Sequence, residues 1–237
     1  MDINGMNKHP DLLRSPENAC KPDARNESFV RLTATGPQPI TLEDQHGRVV
    51  ELTLHDGVSE GIRIQFETTK NLYLYSWFVY RFYPVAQHHA YTCLELALRE
   101  RFEKEMVAEG EPKRGFGLGL RQLLSHAIEN GYLKNENFEM WRHQTWVNAK
   151  MRTIYESLEE MGRLGLDQME HDESMVQIKE VDRNHDYLAN LLEAIPYLRN
   201  RYAHGSKSLH NQVLGTLQVV LEIINQIYQP KSADESR

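Results

Sequence analysis

The spacing of apolar residues changes along this 237-residue chain at about Asn71. Before that point, within 29–67, apolar and polar residues alternate, which is typical of β-strands with one buried face. After it, apolar residues recur every three to four positions, the spacing of amphipathic α-helices. The sequence therefore predicts a mainly α fold, an up-and-down helical bundle with a small N-terminal antiparallel β element.

The predicted β element is a meander of three or four short strands separated by turn signals. Its alternating apolar residues are Val30, Leu32 and Ala34, then Val50, Leu52 and Leu54, then Ile62, Ile64 and Phe66. A meander of this size is not stable alone, so its apolar face is expected to dock on the helices. Packing is the more common role for such an element, and a binding role is the alternative.

The helical part of the chain divides into several amphipathic segments. They are predicted at 72–83, 86–107, 118–130 and 137–161, with a further helix ending at Leu198 and a last one N-capped by Ser206 or Ser208. Pro84 is expected to kink the first helix or to end it. The predicted organisation is a flexible tail at 1–28, a β-meander at 29–69, a helical bundle at 70–229 and a flexible tail at 230–237.

Charge and cysteine content exclude several classes of protein. A net charge of −7 argues against nonspecific binding along a polyanion, although it allows a small basic cleft. Cys20 and Cys93 are too few for a disulfide framework or a cysteine-based zinc site. The N-terminal residues lack the apolar core of a signal peptide, and the most apolar run, 72–86, is short and contains Arg81. We therefore expect a cytoplasmic protein that does not contact a membrane.

One stretch near the C-terminus gathers cationic and polar side chains at a helix junction. Two arginines, an asparagine and a histidine lie within six consecutive residues: Arg199, Asn200, Arg201 and His204. No acidic residue occurs between Glu193 and Glu222. Guanidinium groups beside an imidazole suit a site that binds an anion.

The same stretch resembles a known signature. Arg199-Asn200, followed after three residues by His204, resembles the Arg-(four to six residues)-His motif of the HEPN domains. A long apolar helix closes the chain, and the residues that flank the motif also fit: Ile195-Pro196-Tyr197-Leu198 before it and Gly205 after it. The resemblance covers about 72–228. It implies a HEPN-like, all-α bundle, and many such domains are metal-independent RNases.

The resemblance and the residues imply the same chemistry. His204 would take the proton from a ribose 2′-hydroxyl, because imidazole groups exchange protons near neutral pH. Arg199 would bind the extra negative charge of the phosphorane. Asn200 could orient His204, since positions i and i+4 share a helix face. Glu95, on the first long helix, is implied by the resemblance as a supporting residue, and Arg201 is a second one.

Geometry sets a condition on this site. Positions five apart on a straight helix diverge by roughly 140°, so the length of the Arg199 side chain or a helix break must bring it to His204. In the family that the motif resembles, a two-fold homodimer places both copies of the motif in one cleft. RNA is the implied partner, and an antitoxin or a neighbouring protein is a further candidate in a toxin or phage-defence setting.

No cofactor and no metal are expected. The chain has no HExxH motif, no paired-cysteine spacing and no repeated aspartate loop, and its histidines form no ligand pair at i, i+4.

Two other interpretations stay open. Arg199 and Arg201 near a helix C-terminus can satisfy carbonyl groups and the helix dipole, and His204-Gly205 can be an ordinary helix stop. A HEPN-like domain can also be a non-catalytic module that binds RNA or protein. A subset of the family carries a nucleotide-accepting tyrosine shortly after the histidine. Ser206 stands there in this chain, so that role is not expected.

Overall fold

The computed structural model describes residues 9–108, 118–168, 172–205 and 209–229, and within 103–108 the backbone alone. This part of the chain is mainly helical, at 66%, with one two-stranded antiparallel sheet. Its strands end before Asn71, as the change of period predicts. The predicted class, mainly α with a small antiparallel β element, is confirmed.

The described residues form seven α-helices and one hairpin. The helices are α1 Leu42–Val50, α2 Glu60–Tyr75, α3 Phe82–Ala108, α4 Leu120–Glu129, α5 Glu139–Leu164, α6 Tyr187–Ala203 and α7 Leu214–Tyr228. The hairpin pairs β1 Val30–Thr33 with β2 Gly36–Pro39, and short 3-10 helices form at Pro16–Asn18, Ala24–Ser28, Asn135–Asn137, Glu173–Met175 and Glu180–Arg183.

The later strands of the predicted meander are wrong, because that segment forms α1 and α2. In α2, Ile62 and Phe66 are buried while Ile64 is 56% exposed. Ile62 and Phe66, four residues apart, share a face in a strand and also in a helix, so their burial fits both structures. Ile64 distinguishes the two structures, because it would share the buried face in a strand but lies on the other side in a helix. It faces solvent, so the segment is a helix. Because α2 extends to Tyr75, the boundary predicted at residue 69 falls inside a helix.

A capping box starts α1 where a strand connection was predicted. The Thr41 hydroxyl accepts a hydrogen bond from the Asp44 N–H at 3.2 Å, and the Asp44 carboxylate accepts one from the Thr41 N–H at 2.9 Å. This reciprocal pair satisfies two backbone donors that a helix start leaves open. Val50, expected in a strand, ends α1, and Leu54 follows it in irregular chain as a buried core residue.

The apolar side chains of the hairpin do not pack on the helices as expected. All four residues of β1 are exposed, and Leu32 is 86% exposed. Its register pairs Val30 with Pro39 and Thr33 with Gly36, and Gly36 takes the positive φ of 108° that the turn requires.

The N-terminal segment from residue 9 is folded, so the predicted flexible tail is wrong for 9–28. The Asn26 side-chain amide donates to the carbonyl oxygens of Ser76 and Trp77 at 3.1 and 2.9 Å. The Asp23 carboxylate accepts hydrogen bonds from the Arg25 side chain at 2.8 Å and from the Tyr80 N–H at 3.2 Å. The segment therefore satisfies polar groups of the α2–α3 turn.

Asp23 gives the folded state a predictable dependence on acid. Burial alone would raise the pKa of Asp23, but hydrogen bonds from Arg25 and from the N–H groups of Tyr80 and Arg25 outweigh it and hold the pKa at about 2. The pKa in the folded state lies below the ordinary 3.8. The associated stability is therefore fully present above the ordinary value and is lost as pH falls towards 2.

We expect Asp23→Asn to lower the free energy of unfolding at pH 7 by on the order of 1–2 kcal/mol, because the partner guanidinium is partly exposed and its attraction is screened. The difference from the wild type should shrink between pH 4 and pH 2, measured by urea unfolding at each pH. Asp167→Asn, an exposed position beyond α5, is the control and should leave the curve unchanged. If the difference in free energy of unfolding between Asp23→Asn and the wild type stays constant from pH 4 to pH 2, the lowered pKa of Asp23 is contradicted.

Helix α3 is the central helix of the bundle, packed against α2, α4, α6 and α7. Its apolar stripe, with Leu94, Leu98 and Phe102, is fully buried. Pro84 lies in its first turn, where a missing N–H breaks no intrahelical hydrogen bond, so the proline starts α3 instead of kinking it. The core formed around α3 is the rigid frame on which α6 places the motif.

The motif lies at the C-terminal end of α6, with His204 as the C-cap. Asp186 caps the start of α6 by accepting from the Ala189 N–H, and Gly205 follows its end at φ +85°, a left-handed conformation that favours glycine. Ser206 and Ser208, predicted as N-caps of the last helix, lie outside the described residues. Helix α7 begins at Leu214, later than predicted.

Candidate functional site

Arg199 of α6 is bound by a carboxylate of α3. Its Nε and Nη2 both donate to Oε2 of Glu95, at 3.1 and 2.8 Å. The Glu95 side chain is 14% exposed and that of Arg199 is 35% exposed, so the pair lies at the edge of the α3–α6 contact. Glu95 is the supporting residue that the resemblance implied, and the structure places it in direct contact with the motif arginine.

Two more side chains complete this contact. Arg99, one turn along α3, donates from Nη2 to the other Glu95 oxygen at 2.9 Å. Asn200 accepts from Nη1 of Arg199 at 3.2 Å. A guanidinium has five N–H groups, and these contacts use three of those on Arg199. Among the described residues, two N–H groups of Arg199 therefore have no protein acceptor and can bind an anion.

His204 stands apart from this cluster, at the exposed C-cap of α6. Its backbone N–H donates to the Asn200 carbonyl oxygen at 3.0 Å, which continues the helix by one residue. In the part of the chain that the structure describes, the imidazole ring has no hydrogen-bond partner. Since α6 runs unbroken from Arg199 to its C-cap at His204, no helix break turns His204 towards Arg199.

The remaining motif residues do not make the contacts that were expected of them. The Asn200 side chain binds Arg199 and not His204, so the predicted orientation of His204 by Asn200 is not seen in this single chain. Arg201 is exposed on α6. The structure thus brings Glu95, Arg199 and Asn200 together and leaves Arg201 and His204 facing solvent.

Sequence reasoning missed His210, which contacts the motif from the chain that precedes α7. Its Nε2 lies 2.7 Å from the Tyr202 hydroxyl, and its Nδ1 is buried without a hydrogen-bond partner among the described residues. Burial, together with the charge of Arg201, lowers the pKa of His210. Burial raises the pKa of Tyr202. The contact joins α6 to the residues just before α7, and no helical spacing in the sequence points to it.

A metal centre has no support in the described residues, where no group of three or more His, Cys, Asp or Glu could hold an ion. Within the same residues, no helix combines the length and apolar character needed to cross a membrane. Clefts of about 570 and 640 Å³ lie elsewhere, the first beside α2 and the second between Trp141 and Arg183. Neither includes a motif residue.

Comparison with protein-family models, with curated proteins and with solved structures finds no match for this chain. The resemblance to HEPN domains therefore rests on the motif and on the residues that flank it.

Proposed function

We propose that this protein is a metal-independent endoribonuclease of the HEPN type, with Arg199 and His204 as its catalytic residues. The contact between Glu95 and Arg199 is the observation that supports this most. An arginine that only satisfies the end of a helix points at the last carbonyl oxygens. Arg199 instead reaches a partly buried carboxylate on a neighbouring helix and keeps two N–H groups for an anion.

The proposed reaction is transesterification at one phosphodiester. The exposed imidazole of His204 takes the proton of a ribose 2′-hydroxyl, and the oxygen formed attacks the adjacent phosphorus. Arg199 binds the added negative charge as it develops. The bond from phosphorus to the 5′-oxygen breaks, that oxygen takes a proton from water, and the products are a 2′,3′-cyclic phosphate and a 5′-hydroxyl.

The active form in this proposal is a homodimer. Arg199 faces α3 while His204 faces solvent at the end of α6, so the proposal combines these groups across a two-fold axis, where the motifs of two copies share one cleft. Asn200 and Arg201 then serve as supporting residues. Such a nuclease would suit a cytoplasmic toxin or phage-defence role, restrained by an antitoxin or a neighbouring protein.

The decisive experiment incubates the purified protein with labelled single-stranded RNA in the presence of EDTA. We expect cleavage that EDTA does not reduce, with 2′,3′-cyclic phosphate ends identified by mass spectrometry. If the protein binds the RNA but does not cleave it, it is a non-catalytic RNA-binding module and not a nuclease. Cleavage that requires a divalent cation would contradict the mechanism.

Glu95 is a positioning residue in this mechanism, because it acts on RNA only through Arg199. We expect Glu95→Gln to lower kcat/KM for RNA by about tenfold to a hundredfold, since a misplaced charge stabilises the transition state less. Glutamine keeps the size of the side chain, so the melting temperature should change little.

Glu193→Gln is the matched control for this variant. Glu193 also lies on α6 and also pairs with an arginine of a neighbouring helix, Arg121 of α4, but away from the motif. It should leave cleavage unchanged. A Glu95→Gln protein as active as the control would show that Glu95 does not position the catalytic arginine.

A further inference from the structure

The last turn of α6 carries His204 and has little packing of its own. Between Asn200 and Gly205, every residue except Tyr202 is exposed. The Tyr202 ring is partly buried and packs against the main hydrophobic core. The position of His204 in the folded chain therefore depends on how Tyr202 is held.

A proline separates this end of α6 from the rest of the helix. Pro196 lies inside α6, and because proline has no N–H, the hydrogen bond to the Leu192 carbonyl oxygen cannot form. The residues from Tyr197 to Ala203 make only about two turns, too short to be stable as a helix without packing. Contacts with neighbouring elements must therefore hold this end of α6 in place.

The contact nearest to His204 is the one between Tyr202 and His210. The Tyr202 hydroxyl lies 2.7 Å from Nε2 of His210, which belongs to the segment just before α7. One of these residues precedes His204 in the sequence and the other follows it. This hydrogen bond therefore ties the end of α6 to the start of the next helical segment.

Both partners of this hydrogen bond are uncharged at neutral pH. Burial, together with the charge of Arg201, lowers the pKa of His210 from its ordinary 6.5, so the imidazole is neutral at pH 7. Burial raises the pKa of Tyr202, so its hydroxyl keeps its proton. A neutral amide could therefore replace the imidazole without changing the charge of the contact.

We propose that His210 is a positioning residue of the nuclease, which holds the last turn of α6, and with it His204, through the Tyr202 hydroxyl. Both ring nitrogens of His210 are withdrawn from RNA, since Nε2 binds Tyr202 and Nδ1 is buried. His210 therefore acts through His204 and not on the substrate. The effect on cleavage rests on the proposed function, whereas the anchoring of α6 can be measured without RNA.

Hydrogen–deuterium exchange measures this anchoring. The His204 N–H donates to the Asn200 carbonyl oxygen at 3.0 Å. The Gly205 N–H donates to the Tyr202 carbonyl oxygen at 3.2 Å, so both amides report the opening of the last turn. Tyr202→Phe removes only the hydroxyl and should speed their exchange by about threefold to tenfold, the usual effect of losing one hydrogen bond. Tyr197→Phe, at an exposed tyrosine of the same helix, is the matched control and should not change it.

Variants of His210 test the other partner of the bond. His210→Ala should speed exchange at His204 at least as much as Tyr202→Phe does. His210→Gln should keep it slow, because the glutamine amide reaches about as far as Nε2 and is also neutral. The double variant of Tyr202→Phe and His210→Ala should exchange no faster than His210→Ala alone, since both changes remove the same bond. Unchanged exchange at His204 in both single variants would overturn the proposal, whether or not the protein cleaves RNA.

Cleavage of labelled RNA in EDTA under single-turnover conditions tests the role in catalysis. Tyr202→Phe should lower the maximal rate by about threefold to tenfold and leave the RNA concentration at half-maximal rate unchanged, because the bond positions the base and does not bind RNA. His210→Gln should cleave at nearly the wild-type rate.

The two measurements separate this inference from the proposed function. Faster exchange at His204 with an unchanged cleavage rate would make the contact purely structural and overturn the positioning role. A wild-type protein that cleaves no RNA would refute the nuclease, and with it the role of His210 in catalysis. The exchange rates would still decide whether His210 anchors the end of α6.

Discussion

Replacing His204 with alanine is expected to lower the rate of RNA cleavage by about 10²–10⁴-fold, the usual contribution of a general base. Arg199→Ala should lower it by about 10²–10³-fold, because the added charge on the phosphate loses its guanidinium donor. The rates are to be measured in EDTA under single-turnover conditions, which report the chemical step and not product release.

The double variant distinguishes a joint site from two separate effects. The general base and the charge stabiliser act in one transition state. The increase in activation free energy of the double variant should therefore be smaller than the sum of the increases of the two single variants. Both single variants should melt near the wild-type temperature, because His204 is exposed and Glu95 keeps its hydrogen bond from Arg99 after Arg199 is removed.

His143→Ala is the control for the histidine variant, since His143 is exposed on α5 and lies outside the motif. It should cleave RNA at the wild-type rate. If the two motif variants unfold the protein instead of inactivating it, the motif is a structural helix junction and the proposed nuclease is wrong.

The second large effect concerns stability. Phe66→Ala is expected to lower the free energy of unfolding by about 3–5 kcal/mol, because Phe66 is fully buried between α2 and the central core. Ile64→Ala, two residues away and exposed on the same helix, should change it by less than about 0.5 kcal/mol. Urea unfolding followed by circular dichroism gives both values.

This pair of variants separates a helix from a strand. In a strand, Ile64 and Phe66 point to the same face and both truncations are costly. In a helix, they lie roughly 200° apart and only one is costly. Similar losses for both would therefore contradict the helical assignment of 60–75.

Sequence periodicity predicts α3, α4 and α5 because the apolar residues of each recur every three to four positions, which fits a helix and not a strand. It fails at Ile62, Ile64 and Phe66, where three residues fit two periods and a single exposed isoleucine decides between them. The polar signal of Thr41 and Asp44 at the start of α1 was available in the sequence. It indicates a helix more clearly than the apolar residues that follow it.

The candidate site was predictable only in part, for a related reason. The sequence places Arg199 near the end of one helix and Glu95 within another, but only packing makes α3 and α6 neighbours. His210, which precedes α7, contacts Tyr202 of α6, and local spacing does not encode such a contact. The contact of Asn200 with Arg199, and not with His204, likewise follows from where Glu95 holds the guanidinium.

The contact between Glu95 and Arg199 also determines when the arginine loses its freedom of rotation. A long, unrestrained side chain must be immobilised when a ligand binds, at a cost of about 1–2 kcal/mol in conformational entropy. Here α3 already holds the guanidinium when folding is complete. In the proposed nuclease, a phosphate would therefore meet a donor whose direction is already set. The entropic cost of ordering Arg199 would then lower the stability of the fold and not the affinity for the phosphate.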